Sequence, residues 1–198
     1  FIVQRRIHMP AKKLISREKI LTASLDIFRK GGMDAIDTKS LTKKLNCSTQ
    51  PIYLSFPGMD EVKEALKIEI QKAYKTYIEN EIKEKRYSPY KASAIAYIRF
   101  AKEEQEMFHY LFMRKRSFEE MEQDIDQTAS TAIQALMEKF GMSYNEARIF
   151  HMKQWIYVHG IATALASSYY HWEDDTISEL LTEHYTILIE RYQKETGE

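Results

Sequence analysis

Residues 38–56 read Thr38-Lys39-Ser40-Leu41-Thr42-Lys43-Lys44-Leu45-Asn46-Cys47-Ser48-Thr49-Gln50-Pro51-Ile52-Tyr53-Leu54-Ser55-Phe56, and this stretch decides the fold. Its pattern predicts two short helices joined by a tight turn. Thr38 is the expected cap of the first, because its hydroxyl accepts a bond from an orphan backbone N–H. Leu41 and Leu45 lie four apart and share one face. Asn46 suits the stop, since Asn tolerates the left-handed conformation. Ser48 is the expected cap of the second helix, and Pro51 fits its first turn, where N–H groups have no intrahelical partner to lose. Ile52 and Phe56 then point inward, leaving Thr49, Gln50, Tyr53, Leu54 and Ser55 outward. A short helix with such an open face is built to touch something, and Lys39, Lys43 and Lys44 just before it suggest a polyanion.

Outward from this segment, the charge balance agrees. The net formal charge of the 198 residues is zero, which taken whole speaks against nucleic acid. Residues 1–56, however, hold 11 Lys and Arg against 4 Asp and Glu, and residues 57–198 hold 18 against 25. A basic head on an acidic body is the footprint expected of a protein that binds nucleic acid with one end. The hydrophobic fraction of 44% fits a globular chain. Only six Gly and four Pro occur, which favours long helices over many short strands. The single Cys47 excludes an intrachain disulfide, fits a reducing cytoplasm and reads as a packing residue. No run of the ~20 apolar residues needed to span a bilayer appears, so no membrane association is expected. Residues 1–8 look foreign to the rest and read as an expression-derived extension, with Met9 a natural start.

A first helix is expected from Ser16 to Lys30, with Ile20, Ala23, Ile27 and Phe28 at amphipathic spacing and Gly31-Gly32 as its stop. After the break at Phe56-Pro57-Gly58, a long helix starts near Met59 and ends before Arg86-Tyr87-Ser88-Pro89. Further helices follow from Pro89, from Phe118 to Phe140, from a Ser143 cap to about Tyr170, and from Asp174 to Gln193, with a bend near Glu106. Arg114-Lys115-Arg116 forms a local charge cluster. The expected architecture is all-α, with about nine helices: a helix-turn-helix DNA-binding domain over residues 9–58 and a helical ligand-binding and dimerisation domain over 59–198.

At this point the chain resembles the TetR/AcrR family of bacterial one-component transcription regulators. The resemblance rests on Ile27-Phe28-Arg29-Lys30-Gly31, on Leu41-Thr42-Lys43-Lys44-Leu45-Asn46-Cys47-Ser48, and on the Ile52-Tyr53 and Phe56 positions of the second motif helix. It covers residues 16–66, with a weaker echo in Trp155-Ile156-Tyr157-Val158-His159-Gly160. Thr42 stands where the family usually has Ala, and Met59 where it usually has a phosphate-binding Lys; Lys63, one turn on, is the candidate substitute. The resemblance implies a cytoplasmic bacterial homodimer that binds a palindromic operator and is released by a small molecule.

The side chains permit that role. Gln50 can read adenine with a bidentate pair, and Pro51 or Leu54 can meet a thymine methyl. Thr38, Lys39, Ser48, Thr49, Tyr53, Ser55 and Lys63 suit phosphates or the groove edge, fixing register without reading sequence. Lys12, Lys13 and Arg17 could reach phosphate or the minor groove. For pairing of subunits, Gly160, Ala164 and Ser168 recur every four residues, and small side chains let helices approach. With Leu181, Tyr185 and Leu188 they would form a four-helix seam of the kind the family uses. Tyr97, Phe100, Phe108, Phe112, Met113, Trp155 and His159 offer an aromatic and thioether lining for an apolar or aromatic effector.

Two rival classes make different demands on the sequence. An enzyme would need a nucleotide loop, a nucleophile elbow or metal-ligand spacing, and none of these motifs is found. No catalytic residue, metal or cofactor is therefore expected. A helical protein-interaction module without DNA binding is the other, distinguished by the absence of a steep salt dependence on DNA.

Overall fold

The computed structural model describes residues 15–115 and 117–196, with side chains outside 118–128. The proposed extension 1–8, Lys12, Lys13 and Arg116 lie outside the described residues. Among those described, the chain is helical without strands: α1 (Arg17–Gly31), α2 (Thr38–Leu45), α3 (Gln50–Ser55), α4 (Met59–Lys83), α5 (Pro89–Glu103), α6 (Gln105–Phe108), α7 (Phe118–Phe140), α8 (Tyr144–Ala166) and α9 (Asp174–Thr196). A single 3₁₀ turn, Met33–Ala35, follows α1, and a π-helical turn, His109–Met113, follows α6.

The chain divides into two compact units, a head ending at Glu69 and a body beginning at Ile70. The boundary lies inside α4, not at the Pro57-Gly58 break that the sequence suggests. The reason is burial: Val62, Ala65 and Leu66 on the first turns of α4 are buried apolar side chains and belong to the head.

In the head, local chemistry sets each helix end. Ser16 caps α1 by accepting from the Lys19 N–H, and Gly32 (φ 66) turns the chain out of that helix in a conformation that favours glycine. Asp37 caps α2: its carboxylate accepts from the Ser40 N–H at 2.6 Å, and the Ser40 hydroxyl accepts from the Asp37 N–H at 3.1 Å. Thr38 is thus the first residue of the helix and not its cap. Asp37 has the extended backbone of a capping residue, and its charge makes the stronger acceptor. Asn46 closes α2 in the left-handed conformation (φ 49, ψ 55). Ser48 does not cap α3 either. Thr49 flanks that helix with dihedrals already helical, no side chain caps it, and Pro51 in the first turn removes one N–H that would need a partner. Ile20, Phe28, Ile36, Leu41, Ile52 and Phe56 are all fully buried, and each such side chain is worth about 1.5–3 kcal/mol.

In the body, α5 packs along α8, α7 also lies on α8, and α9 touches both α5 and α8. Ala92, Ala96 and Ala101 on α5 and Ala162 on α8 are buried, and small side chains of this kind shorten the distance between helix axes. A second cluster, built on Ile133, Leu136, Met142, Ala147 and Phe150, is covered by Tyr90, Tyr185 and Leu188. Ser143 and Glu146 form a capping box at the start of α8. That helix stops at Ala166, and Ser168 beyond it has φ 56, so Ser168 does not continue the small-residue stripe through Gly160 and Ala164.

Candidate functional site

The head presents one polar face. On α3, Ile52 is buried while Tyr53 and Leu54 are 47% and 71% exposed, and Thr49 and Gln50 are exposed beside them. Pro51 is half-buried. The face is held in register by a contact between the two motif helices: Thr38 Oγ1 and Tyr53 Oη lie 3.0 Å apart. The Asp37 carboxyl sits below its ordinary pKa because the Ser40 backbone N–H and hydroxyl both bond to it, so the cap stays ionised at neutral pH.

Three basic or polar residues that the sequence offers to phosphate also make contacts within the head. Lys44 pairs with Asp26 of α1 at 2.8 Å. Arg17 lies over the Phe56 ring at 4.1 Å, and its Nη1 is 3.4 Å from the Ser55 carbonyl, so it clamps the end of α3 to α1. The Ser55 hydroxyl is directed at the Ile15 carbonyl, 3.4 Å away. Lys39, Lys43 and Ser48 are exposed, and Lys63 is half-buried on the second turn of α4. The clamp by Arg17 was not legible in the sequence, because Arg17 and Phe56 are distant along the chain.

In the body, six of the seven expected effector residues fall into one aromatic network. Tyr97 packs on Phe108 and Phe112, with ring centroids 5.4 and 4.8 Å apart. Tyr74, not anticipated, ties Tyr97, Phe100 and Phe112 together, and its burial raises its phenol pKa. The wider π-helical turn over His109–Met113 keeps Phe108 and Phe112 in contact at 5.5 Å. One polar relay enters the network: Tyr97 Oη and His159 Nδ1 are 2.8 Å apart, and Trp155 stacks on His159 at 4.8 Å. Burial holds the His159 imidazole below its ordinary pKa, so it is neutral at pH 7. Trp155 is 40% exposed and marks where the network meets solvent. Met113 is exposed.

The residues expected to pair subunits differ in burial. Leu181 is buried within the chain, Tyr185 contacts the rings of Tyr90 and Phe150, and Leu188 covers the second core cluster. Leu181 is thus enclosed within the chain, while Tyr185 and Leu188 pack against the core and keep part of their surface open. Gly160 is exposed and Ala164 half-buried. On α8, Ile149, Met152 and Ile156 are exposed at positions i, i+3 and i+7, Tyr144 and Trp155 are open on the same helix, and Ile187 is open on α9.

This arrangement, a capped helix-turn-helix head and an all-helical body, is a TetR-like fold. A solved structure of a TetR variant from Acinetobacter baumannii AYE in complex with minocycline shares it, with a TM-score of 0.53 and 17% identity over 91% of this chain and 97% of that one. No protein-family model matches the chain, and no curated protein does. Among the described residues, no helix is long and apolar enough to cross a membrane, and no cluster of His, Cys, Asp and Glu could hold a metal ion.

Proposed function

We propose that the protein is a homodimeric transcription regulator that binds a palindromic DNA operator with α3 and is released from it by a small apolar or aromatic molecule. The observation that carries this reading is the face of α3. Thr49, Gln50, Tyr53 and Leu54 project from a helix whose other side is anchored by Ile52 and Phe56, and the Thr38–Tyr53 contact orients it. An exposed Leu between polar side chains suits base edges better than bulk water. Lys39 and Lys43 supply charge for phosphates beside it, and Lys63 is the candidate for the backbone contact that Met59 cannot make. Two copies of α3 would sit about 34–36 Å apart, or a multiple of that, to meet successive major grooves.

For the dimer, the open Ile149, Met152 and Ile156 stripe of α8 and Ile187 of α9 are the surfaces that a second copy would cover. Such a contiguous apolar stripe is what an interface supplies and a lone surface side chain does not. For the effector, the Tyr97–His159–Trp155 relay supports a flat molecule that inserts beside Trp155 and bonds to the neutral imidazole. The test is selection of binding sites from random duplex DNA with the purified protein. An enriched two-fold symmetric sequence is the expected result; no enrichment, together with weak and sequence-blind binding at low salt, would favour a helical protein-interaction module.

A further inference from the structure

The helix proposed to enter the major groove, α3, carries no Lys or Arg of its own. Positive charge for the DNA beside it must come from neighbouring segments. On α2, Lys39 and Lys43 are exposed, while Lys44 is engaged by Asp26 at 2.8 Å. The cation that contacts the end of α3 is Arg17, and its guanidinium is laid over the Phe56 ring at 4.1 Å, with Nη1 3.4 Å from the Ser55 carbonyl.

These contacts also fix where the chain enters the head. The Ser55 hydroxyl is directed at the Ile15 carbonyl, 3.4 Å away, and Ser16, between Ile15 and Arg17, caps α1. The residues that lead into α1 are therefore tied to the last residue of α3. Lys13 and Lys12 stand two and three residues before Ile15, and no acidic residue lies between Met9 and Ser16. Both lysines lie outside the described residues, but the covalent chain bounds their place. An extended backbone covers at most about 3.3–3.6 Å per residue, so Lys12 is within about 11 Å of Ile15 before its side chain adds reach. The major groove is about 12 Å wide. With α3 in that groove, the strand of phosphates at its border and the minor groove beyond come within range of this basic pair.

We propose that Lys12 and Lys13 enter the minor groove next to the major groove that α3 reads, and so select A·T base pairs bordering each half-site. A·T tracts narrow this groove and strengthen its negative potential, which attracts lysine, whereas G·C pairs place the guanine 2-amino group on its floor. The inference rests on the DNA-binding reading of α3 and extends it to a second groove. Once a palindrome has been selected, the full chain is titrated with three duplexes that share it and differ in the bordering base pairs: A·T, G·C, or inosine·cytosine. The inosine·cytosine pair shows the major-groove face of G·C and the minor-groove face of A·T. A·T and inosine·cytosine borders should bind alike, and G·C borders about fivefold or more weakly. The Lys12→Ala/Lys13→Ala double variant changes residues that precede α1; it should keep the palindrome and bind all three duplexes alike. The inosine comparison needs no variant. Inosine·cytosine behaving like G·C, equal affinity of the unaltered chain for all three, or a border preference that survives in the double variant would each overturn the inference and leave the regulator reading in place. Failure to select any palindrome would remove both.

Discussion

Thr38 and Tyr53, fifteen residues apart, meet through their hydroxyl groups at 3.0 Å and join the first turn of α2 to the exposed face of α3. Each hydroxyl stands at the surface where phosphates are proposed to lie. The bond therefore does two things: it limits how α3 rolls on α2, and it presents a paired donor at the groove edge.

Removing either hydroxyl should cost the same interaction. Tyr53→Phe and Thr38→Val are each expected to lower the stability of the protein by about 0.5–1 kcal/mol, the low end for a hydrogen bond because the pair is exposed. The double variant should lose no more than the larger single loss, as a mutant cycle on one contact requires. Urea unfolding of the three variants measures this; additive losses would mean the hydroxyls act separately.

Base choice and affinity should separate by residue. Gln50→Ala is expected to relax preference at one position of each operator half-site. Lys39→Ala should weaken all sequences alike and reduce the salt slope by about one per subunit. Site selection and binding titrations across salt concentrations distinguish the two, and an unchanged preference in Gln50→Ala would remove that residue from base reading.

Arg17→Ala should destabilise the head without touching the DNA face directly. The guanidinium over Phe56 at 4.1 Å is worth about 0.5–1 kcal/mol at an exposed position. A matching drop in unfolding free energy is expected, and Arg17→Lys should recover only part of it, since ammonium does not stack as a plane. No change in stability would show that Arg17 is available for phosphate after all.

Stability should fall in mild acid. Burial holds His151, His159 and His184 below the ordinary imidazole value, so the unfolded chain takes up protons first. Their contribution is complete above about pH 6.5, the unfolded value, and is lost as pH drops from there through the folded values. His151→Gln keeps an acceptor for the Tyr90 hydroxyl, 3.2 Å from His151 Nδ1 in the native chain, and cannot titrate. Its urea-unfolding free energy should decline less steeply between neutral pH and pH ~5.5 than that of the parent.

Ile156→Glu on the open stripe of α8 should leave the fold intact, because Ile156 is 58% exposed in the single chain, and should convert a dimer to a monomer in sedimentation experiments. Leu181→Glu should instead unfold the body, since that side chain is buried and an unpaired buried charge is strongly destabilising. A dimer that survives Ile156→Glu would shift the pairing surface elsewhere.

The helices were readable from the linear chain because their signals are local. Ser16, Asn46, Ser88 and Ser143 act on backbone groups within a turn of themselves, and apolar residues three and four apart define a buried face wherever the helix is placed. The inward Ile52 and Phe56 and the outward Gln50, Tyr53 and Leu54 follow from that rule alone. At the start of α2 the pattern missed by one residue, naming Thr38 where the neighbouring Asp37 is the cap, because either side chain can accept and the backbone angles choose. The aromatic richness of residues 97–113 was equally plain. Its closure around Tyr74 was not, nor were the Arg17–Phe56 clamp, the burial of Leu181, or the pairing of Glu81 with Arg99. Those pairings join residues from separate helices, and which faces meet depends on how whole helices pack against one another, a quantity that no short window of sequence contains.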